Sequence, residues 1–311
     1  MQTTQSDWYR SLDAETKSAI RELQRLKPLW NLTAVFFVLL WACLGVLVMS
    51  ESHWSLRLVG YVVMGMIIHG LGNFMHEGIH GNLFRNRRWD RWLGFLAGVP
   101  TLFSVSAYGI NHLLHHKHTR TEQDPDEIVN ITRNRTLLSL IFYAWFFMGT
   151  FIFSFRVSYV AHTRGTRQER VAVVTEQLLI VLSVGGLLIS AWAFGFLDVV
   201  LHCWIIPLLL ASGFANIRAS AEHQLTVADH PLRQTRTVTS NPFYSFFNIN
   251  LNYHLEHHLF PGVPWYNLPK VHRLLLPEYE RVGASVYSSY FGLLWDAFRI
   301  GVHGRTPDLE R

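Results

Sequence analysis

Four long apolar stretches constrain the fold of this 311-residue chain more than any other feature, and they occupy residues 31–50, 55–74, 171–195 and 199–217. Each is close to the roughly 20 residues that a helix needs to cross ~30 Å of hydrocarbon. Half of the residues are hydrophobic and only 16% are charged, which is too apolar for an ordinary soluble globule. The sequence therefore predicts an all-α integral membrane protein with four transmembrane helices.

Two further apolar stretches, at 89–107 and 137–155, are also long enough to cross. Lys and Arg gather before the first span, after the second, around Arg133, from Arg156 to Arg170 and after the fourth span. By contrast, the short connections between spans one and two and between spans three and four have only Arg57 near them. The positive-inside tendency places every cluster of basic residues in the cytoplasm, provided that each of the two further stretches enters and leaves the membrane on the same side. We therefore expect these two stretches to be interfacial or re-entrant helices.

The net charge of +5 is explained by this topology, because the bases are spread over membrane-proximal loops; we expect no nucleic-acid partner. The first 30 residues are polar and lack a short apolar run with a cleavage site, so we expect no signal peptide. Cys43 and Cys203 lie inside apolar spans and indicate neither a disulfide framework nor a thiolate metal site. We expect one domain over 1–311, with a cytoplasmic N-terminal segment (1–30), membrane helices with two histidine clusters (31–217) and a cytoplasmic cap with the third cluster (218–311).

Eight histidines form three clusters that follow or interrupt apolar sequence. HEGIH contains His76 and His80; NHLLHHKH contains His112, His115 and His116; NYHLEHH contains His254, His257 and His258. On a helix, residues three and four apart share one face, so each H-x-x-H-H run directs three imidazoles to the same side. The predicted topology places all three clusters in the cytoplasm. His223 follows the fourth span on the same side, which makes it a candidate ninth ligand.

The clusters leave several kinds of site open. HEGIH alone also fits a zinc metalloprotease, with Glu77 as general base, or a chance pair of histidines. A protease has no use for six more histidines, whereas two metal ions with four or five ligands each need roughly eight to ten. Imidazole-rich ligation suits iron, copper, nickel or zinc far better than magnesium or calcium. We expect the remaining histidines to be non-ligands: His69 lies inside the second span, His118 falls off the repeated spacing, and the others, including His272, match no motif.

The order H-x-x-x-H, H-x-x-H-H, H-x-x-H-H, with the extensions HHKHT…DPD and NYHLEHHLFPGVP, resembles the membrane fatty acid desaturase superfamily, particularly its acyl-lipid branch. The resemblance covers roughly residues 70–275 and includes the AEH segment that ends at His223. It implies a cytoplasmic histidine-rich cap with a non-haem di-iron centre. The ligands that it implies for the two irons are His76, His80, His112, His115, His116, His223, His254, His257 and His258.

Such enzymes use O2 and two electrons to remove hydrogen from an unactivated methylene of a long acyl chain, and the expected activity is desaturation. A site at the membrane surface admits the chain from the bilayer and confines O2 chemistry to a dry pocket. Several carboxylates lie beside ligand positions, and two roles stay open for them: orienting imidazoles or acting as solvated loop charges. They are Glu77, Glu222 and Asp126, which we select as the catalytic candidates, together with Asp124 and Glu256.

The resemblance leaves the substrate carrier open among a lipid, acyl carrier protein, CoA and the free acid. This chain has no H-P-G-G haem motif, and we therefore expect a separate electron donor such as ferredoxin, rubredoxin or cytochrome b5. Hydroxylation, carotenoid oxygenation and terminal alkene or alkyne formation use the same kind of site and remain alternatives, as do the zinc protease and a metal carrier. The expected location is a bacterial inner membrane with the active site in the cytoplasm.

Overall fold

The computed structural model describes residues 4–224, 226–227 and 229–301, and this part of the chain is almost entirely helical, as predicted. The chain divides into two compact units. Unit 1 comprises 1–27, 113–149 and 216–311, and unit 2 comprises 28–112 and 150–215. The prediction of a single domain over 1–311 stays a prediction.

Unit 2 contains most of the long apolar helices. Its helices are α3 (Leu32–Ser50), α4 (Trp54–His80), α5 (Arg87–Gly98), α8 (Arg167–Ala193) and α9 (Leu197–Val200). Three further helices have residues in both units: α6 (Val105–His118), α7 (Arg135–Arg164) and α10 (Ile206–His223). A π-helical turn, Leu201–Ile205, joins α9 to α10.

Unit 1 contains the short helices at the two ends of the chain. They are α1 (Gln5–Ser11), α2 (Ala14–Leu23), α11 (Pro242–Phe247), α12 (His254–Leu259), α13 (Leu268–Val282) and α14 (Tyr290–Ile300). Two strands of two residues each, β1 (Thr237–Val238) and β2 (Val286–Tyr287), pair in parallel with Thr237 opposite Val286. These strands were not predicted, because two residues are too few to show a periodic pattern.

Five helical segments in the described part of the chain are long and apolar enough to cross a membrane: Pro28–Ser50, Trp54–His80, Arg135–Arg164, Arg167–Ala193 and Leu197–His223. Four of them overlap almost completely with the stretches predicted to span. The fifth, Arg135–Arg164, contains the stretch predicted to be interfacial. The other such stretch falls in Arg87–Thr101 and Val105–His118, two segments bent by 102° at their junction. The count of four spans therefore stays a prediction.

In unit 2, α5 packs closely against the end of α4 that contains the first histidine cluster. Gly78 makes this approach possible, because a Cβ atom there would lie 2.6 Å from the carbonyl oxygen of Asp90. The buried Asp90 carboxylate accepts hydrogen bonds from the backbone N–H groups of Leu83 (3.2 Å) and Phe84 (2.7 Å). Gly81 ends α4 in the left-handed conformation that favours glycine. The contacts between α4 and α5 thus fix the position of the end of α4 on which His76 and His80 lie.

The N-terminus of α6 is held by a carboxylate from α8. Glu176 accepts hydrogen bonds from the Ser106 backbone N–H (2.8 Å) and from the Ser104 hydroxyl (2.7 Å), and it pairs with Arg91 at 3.0 Å. The first turn of a helix has unsatisfied N–H groups and a partial positive charge, so a carboxylate is favourable there. Glu176 thus fixes the start of the helix that contains the second histidine cluster.

In unit 1, the N-terminal helices pack on the region that contains the third cluster. Trp8 and Ile20 are almost fully buried. The Trp8 indole N–H donates to Glu278 (3.3 Å), and the Gln5 amide donates to the carbonyl oxygen of Leu259 at the end of α12 (2.8 Å). Helix α1 therefore contacts both α12 and α13 in this unit.

Candidate metal centre

Unit 2 brings together three of the predicted ligands. His76 and His80 lie one turn apart on α4, and His112 lies on α6. The Nε2 atoms of His80 and His112 are 3.0 Å apart, and the His76 ring centroid is 4.5 Å from that of His112. One candidate nitrogen from each of the three histidines lies within 4.8 Å of those of the other two. The first cluster and the beginning of the second therefore converge, although 32 residues separate His80 from His112.

Unit 1 brings together the other six predicted ligands, which come from α6, α10 and α12. The Nε2 atoms of His223 and His254 are 2.7 Å apart, and those of His116 and His257 are 3.1 Å apart. His115, His223 and His258 form a group whose candidate nitrogens all lie within 4.8 Å of one another. His118 is on the same helix as His115 but, within the described residues, belongs to no such group.

These nitrogen-to-nitrogen distances fit ligands of a shared metal ion. Metal–imidazole bonds of 2.0–2.1 Å at right angles place two ligand nitrogens about 2.9 Å apart. Nδ1 of His223 and Nε2 of His258 are buried and have no hydrogen-bond partner among the described residues. A buried polar atom without a partner is costly unless it binds something. The donor set, imidazole nitrogens with few carboxylates, suits iron and the other metals that prefer nitrogen ligands.

The electrostatics around His258 also favour metal binding. Burial holds the pKa of His258 well below its usual value, and the neighbouring His116 and His254 lower this pKa further. The imidazole is therefore neutral at physiological pH. A neutral imidazole has the free lone pair that a metal ligand requires.

Glu77, one of the catalytic candidates, is completely buried beside the first cluster. Its Oε1 atom lies 3.6 Å from Nδ1 of His76, and its Oε2 atom accepts a hydrogen bond from the Asn82 amide at 3.3 Å. Asn82 was not identified from the sequence. Its position just beyond the end of α4 gave no signal of this contact.

Glu222 is also buried and lies on α10, where its carboxylate contacts α12. Its Oε2 atom is 3.4 Å from Nδ1 of His254, and its Oε1 atom is 3.5 Å from Nε of Arg218. Glu222, His223 and His254 also form a group that could hold a metal ion. Arg218 was not identified from the sequence as a site residue, although it lies four residues before Glu222 on the same helix face.

His115 is contacted by Asp124 more closely than by the candidate Asp126. The Asp124 carboxylate lies 2.8 Å from Nδ1 of His115, whereas Asp126 lies 4.0 Å from it. Asp124 is buried and accepts from the backbone N–H groups of Arg120 (2.8 Å) and Asp126 (2.9 Å). A carboxylate held in this way fixes the orientation of an imidazole and increases its basicity as a ligand.

Glu256 lies on α12, and its contacts anchor this helix to residues that are not among the predicted ligands. Its carboxylate contacts Nδ1 of His272 at 2.6 Å and accepts a hydrogen bond from the Thr237 hydroxyl. His272, predicted as a non-ligand, is thus a partner of Glu256. Tyr108 was also missed; its ring stacks on His112 at 5.3 Å, one helical turn away on α6.

Comparison with known proteins identifies the family. The family profile described as fatty acid desaturase matches residues 52–290, which is most of the chain. The dihydrorhizobitoxine desaturase of Bradyrhizobium elkanii is 27% identical over 85% of this chain and 82% of its own. The sn-1 oleoyl-lipid 12-desaturase of Arthrospira platensis is 25% identical over 77% of this chain and 73% of its own.

A human relative, the sphingolipid delta(4)-desaturase/C4-monooxygenase, is 28% identical over 90% of this chain and 82% of its own. The family match spans the three histidine clusters and all but the first of the candidate spans. The apolar helices and this match identify an integral membrane protein. The chain belongs to the fatty acid desaturase family and is an oxidoreductase of the desaturase type.

Proposed function

We propose that the protein is an O2-dependent non-haem di-iron enzyme that introduces a carbon–carbon double bond into a long-chain acyl group. The observation that carries this proposal is the convergence of nine imidazoles, three in unit 2 and six in unit 1, in groups with the spacing of metal ligands. When bound, two irons supply the oxidising power, with O2, that removes hydrogen from an unactivated methylene. The family match supports this chemistry, and the zinc protease interpretation of HEGIH has no comparable support.

The residues of the chain would contribute ligation and orientation. The nine histidines would hold the metal ions through their imidazole nitrogens. Asp124, Glu222 and Glu77 face the Nδ1 atoms of His115, His254 and His76, which fixes each ring. We keep Asp126 as a weaker contributor because its contact with His115 is longer.

The substrate that we propose is an acyl chain carried by a lipid, by acyl carrier protein, by CoA or as the free acid. Named relatives support a lipid, because one is an oleoyl-lipid desaturase and another a sphingolipid desaturase. Two electrons per turnover would come from a separate ferredoxin, rubredoxin or cytochrome b5. A fixed position of the chain against the metals would then decide which carbon reacts.

We also propose four membrane crossings, with the metal centre on the cytoplasmic side of a bacterial inner membrane. In unit 1 the rings of His115 and His223 are 4.6 Å apart, and this distance supports a location of both on one side of the membrane. Three candidate spans separate them along the chain, and an odd number of crossings would put them on opposite sides. The basic residues between Arg156 and Arg170 favour α8 and Leu197–His223 as the crossing pair and α7 as interfacial.

Mass spectrometry of total lipids tests the activity. The chain is expressed in a bacterial host with each candidate electron donor in turn, and a His115→Ala variant is the control. A new double bond that is absent from the control supports desaturation and gives its position. Unchanged lipids with all donors, in cells where the protein contains iron, would contradict the proposal.

Hydroxylation by the same site is the second candidate, because the human relative is named both a desaturase and a C4-monooxygenase. Both reactions begin with the same hydrogen abstraction and differ in the fate of the radical that results. Hydroxylated acyl chains in the same experiment would identify this activity. Carotenoid oxygenation and terminal alkene or alkyne formation would appear in that analysis as oxidised carotenoids or as volatile hydrocarbons.

A further inference from the structure

Arg236 is a fully buried cation that lies against the end of α10. Its Nη1 group donates to the carbonyl oxygens of Ala221 (2.6 Å) and Gln224 (3.1 Å), and its Nε group donates to the Ser285 hydroxyl (2.9 Å). Its backbone N–H donates to the carbonyl oxygen of Glu222 (3.1 Å). Arg236 thus contacts residues that both precede and follow His223 at the end of α10.

A buried charge is costly, and the end of a helix is one of the few places where it is compensated. The last carbonyl groups of a helix have no partners within it and carry a partial negative charge. A guanidinium group donates from several nitrogens in a fixed plane, so it can bind two carbonyls and a hydroxyl together. Arg236 therefore holds the last turn of α10 in one position.

The next residues connect the same segment to α12. The Thr237 hydroxyl donates to Glu256, and the Val238 backbone N–H donates to the carbonyl oxygen of Asn252 (3.0 Å). These residues form β1, which is held in place by the segment before β2 because the Thr237 backbone N–H donates to the carbonyl oxygen of Ser285 (3.3 Å). Residues 236–238 thus tie the helix with His223 to the helix with His254.

We propose that Arg236 is a positioning residue of the metal centre: it fixes the end of α10 so that His223 meets His254 at the distance of two ligands of one metal ion. This inference rests on the proposed metal site. It does not depend on which metal is native, on O2 or on the substrate.

Cobalt binding tests the proposal without turnover. Purified full-length protein is stripped of metal, titrated with Co²⁺ under a competing chelator, and followed by the visible absorption that reports the Co²⁺ ligand geometry. Arg236→Lys keeps the charge but replaces the planar group by a single nitrogen. We expect about 10-fold weaker binding at one of two sites, as for other residues that orient metal ligands, and an altered absorption spectrum.

The matched control is Arg233→Lys, the same change three residues earlier. Arg233 forms an ion pair with the exposed Asp229 at 2.9 Å. We expect this variant to bind Co²⁺ as the wild type does. Wild-type affinity and spectrum in Arg236→Lys would overturn the proposal, even if its melting temperature were lower, because that result describes a purely structural residue.

A second variant keeps the test decisive if Arg236→Lys does not fold. Ser285→Ala removes the hydroxyl that accepts from the Arg236 Nε group, and we expect a smaller weakening of the same site. Unchanged Co²⁺ binding in a folded Ser285→Ala would then overturn the proposal. A wild type that binds two Co²⁺ ions but forms no oxidised lipid would contradict the proposed function alone, whereas a wild type that binds no Co²⁺ would contradict both.

Discussion

At the scale of single residues, the carboxylates beside the histidines differ in how they make contact. Asp124 meets His115 at hydrogen-bond distance and is itself held by two backbone N–H groups, whereas Asp126 is farther away and partly exposed. The H-x-x-H-H spacing predicted which imidazoles share a helix face. It could not rank these two aspartates, because the loop conformation between them has no periodic pattern.

We expect Asp124→Asn to lower the iron affinity of the protein by about 10- to 100-fold. The amide has no charge, and its NH2 group must face either Nδ1 of His115 or the backbone N–H of Arg120, so the contact that orients the His115 ring is weakened. Asp126→Asn is the matched comparison, and we expect a change of less than about threefold. Iron retained after dialysis against a graded chelator series measures both. Equal losses in the two variants would contradict the contact geometry as the cause.

At the scale of helices, the close packing of α4 against α5 is most sensitive at Gly78. A methyl group there would meet the backbone of Asp90, which cannot move as a side chain can. We expect Gly78→Ala to destabilise the protein by about 1–3 kcal/mol, the usual effect of overpacking, and to lower its melting temperature.

Gly186→Ala is the control for Gly78→Ala, because Gly186 also lies within a long apolar helix but has nothing within 4 Å of the added Cβ atom. We expect its melting temperature, measured in the same detergent, to equal or exceed that of the wild type, since Ala is the better helix former. A drop of the same size in both variants would show that the loss does not come from the α4–α5 contact.

The helices could be predicted from the sequence, whereas most side-chain contacts between helices could not. Uninterrupted apolar runs predicted α3, α8 and α10 because length and hydropathy are local properties. The contact of Glu176 with Ser106 joins residues 70 positions apart, and that of His272 with Glu256 joins two helices separated by a loop. Such pairings depend on tertiary packing, and no spacing in the sequence encodes them.

At the scale of the whole molecule, the number of crossings decides where each loop lies. Four crossings place the turn between α7 and α8 on the side of the N-terminal segment. A crossing α7 would place that turn on the opposite side. Single cysteines in a background with Cys43→Ser and Cys203→Ser distinguish the two topologies.

We expect Arg167→Cys, in the first turn of α8, to be labelled from the same side as Ser6→Cys by an impermeant thiol reagent in inverted membrane vesicles and intact spheroplasts. Ser52→Cys, between α3 and α4, is the control for the opposite side. All three positions are exposed. Labelling of Arg167→Cys together with Ser52→Cys would contradict the four-span topology.

The burial of Trp8 has a consequence for how the protein is made. Its partner Glu278 and the Leu259 carbonyl bound by Gln5 leave the ribosome 270 and 254 residues later. At roughly 5–20 residues per second, the N-terminal helices wait about 10 to 50 s for the surface that covers them. During this interval the spans enter the membrane while the third histidine cluster does not yet exist. Loading of the proposed metal centre would therefore follow the synthesis of the third cluster, and the helix that contains Trp8 is among the first made and the last to reach its final contacts.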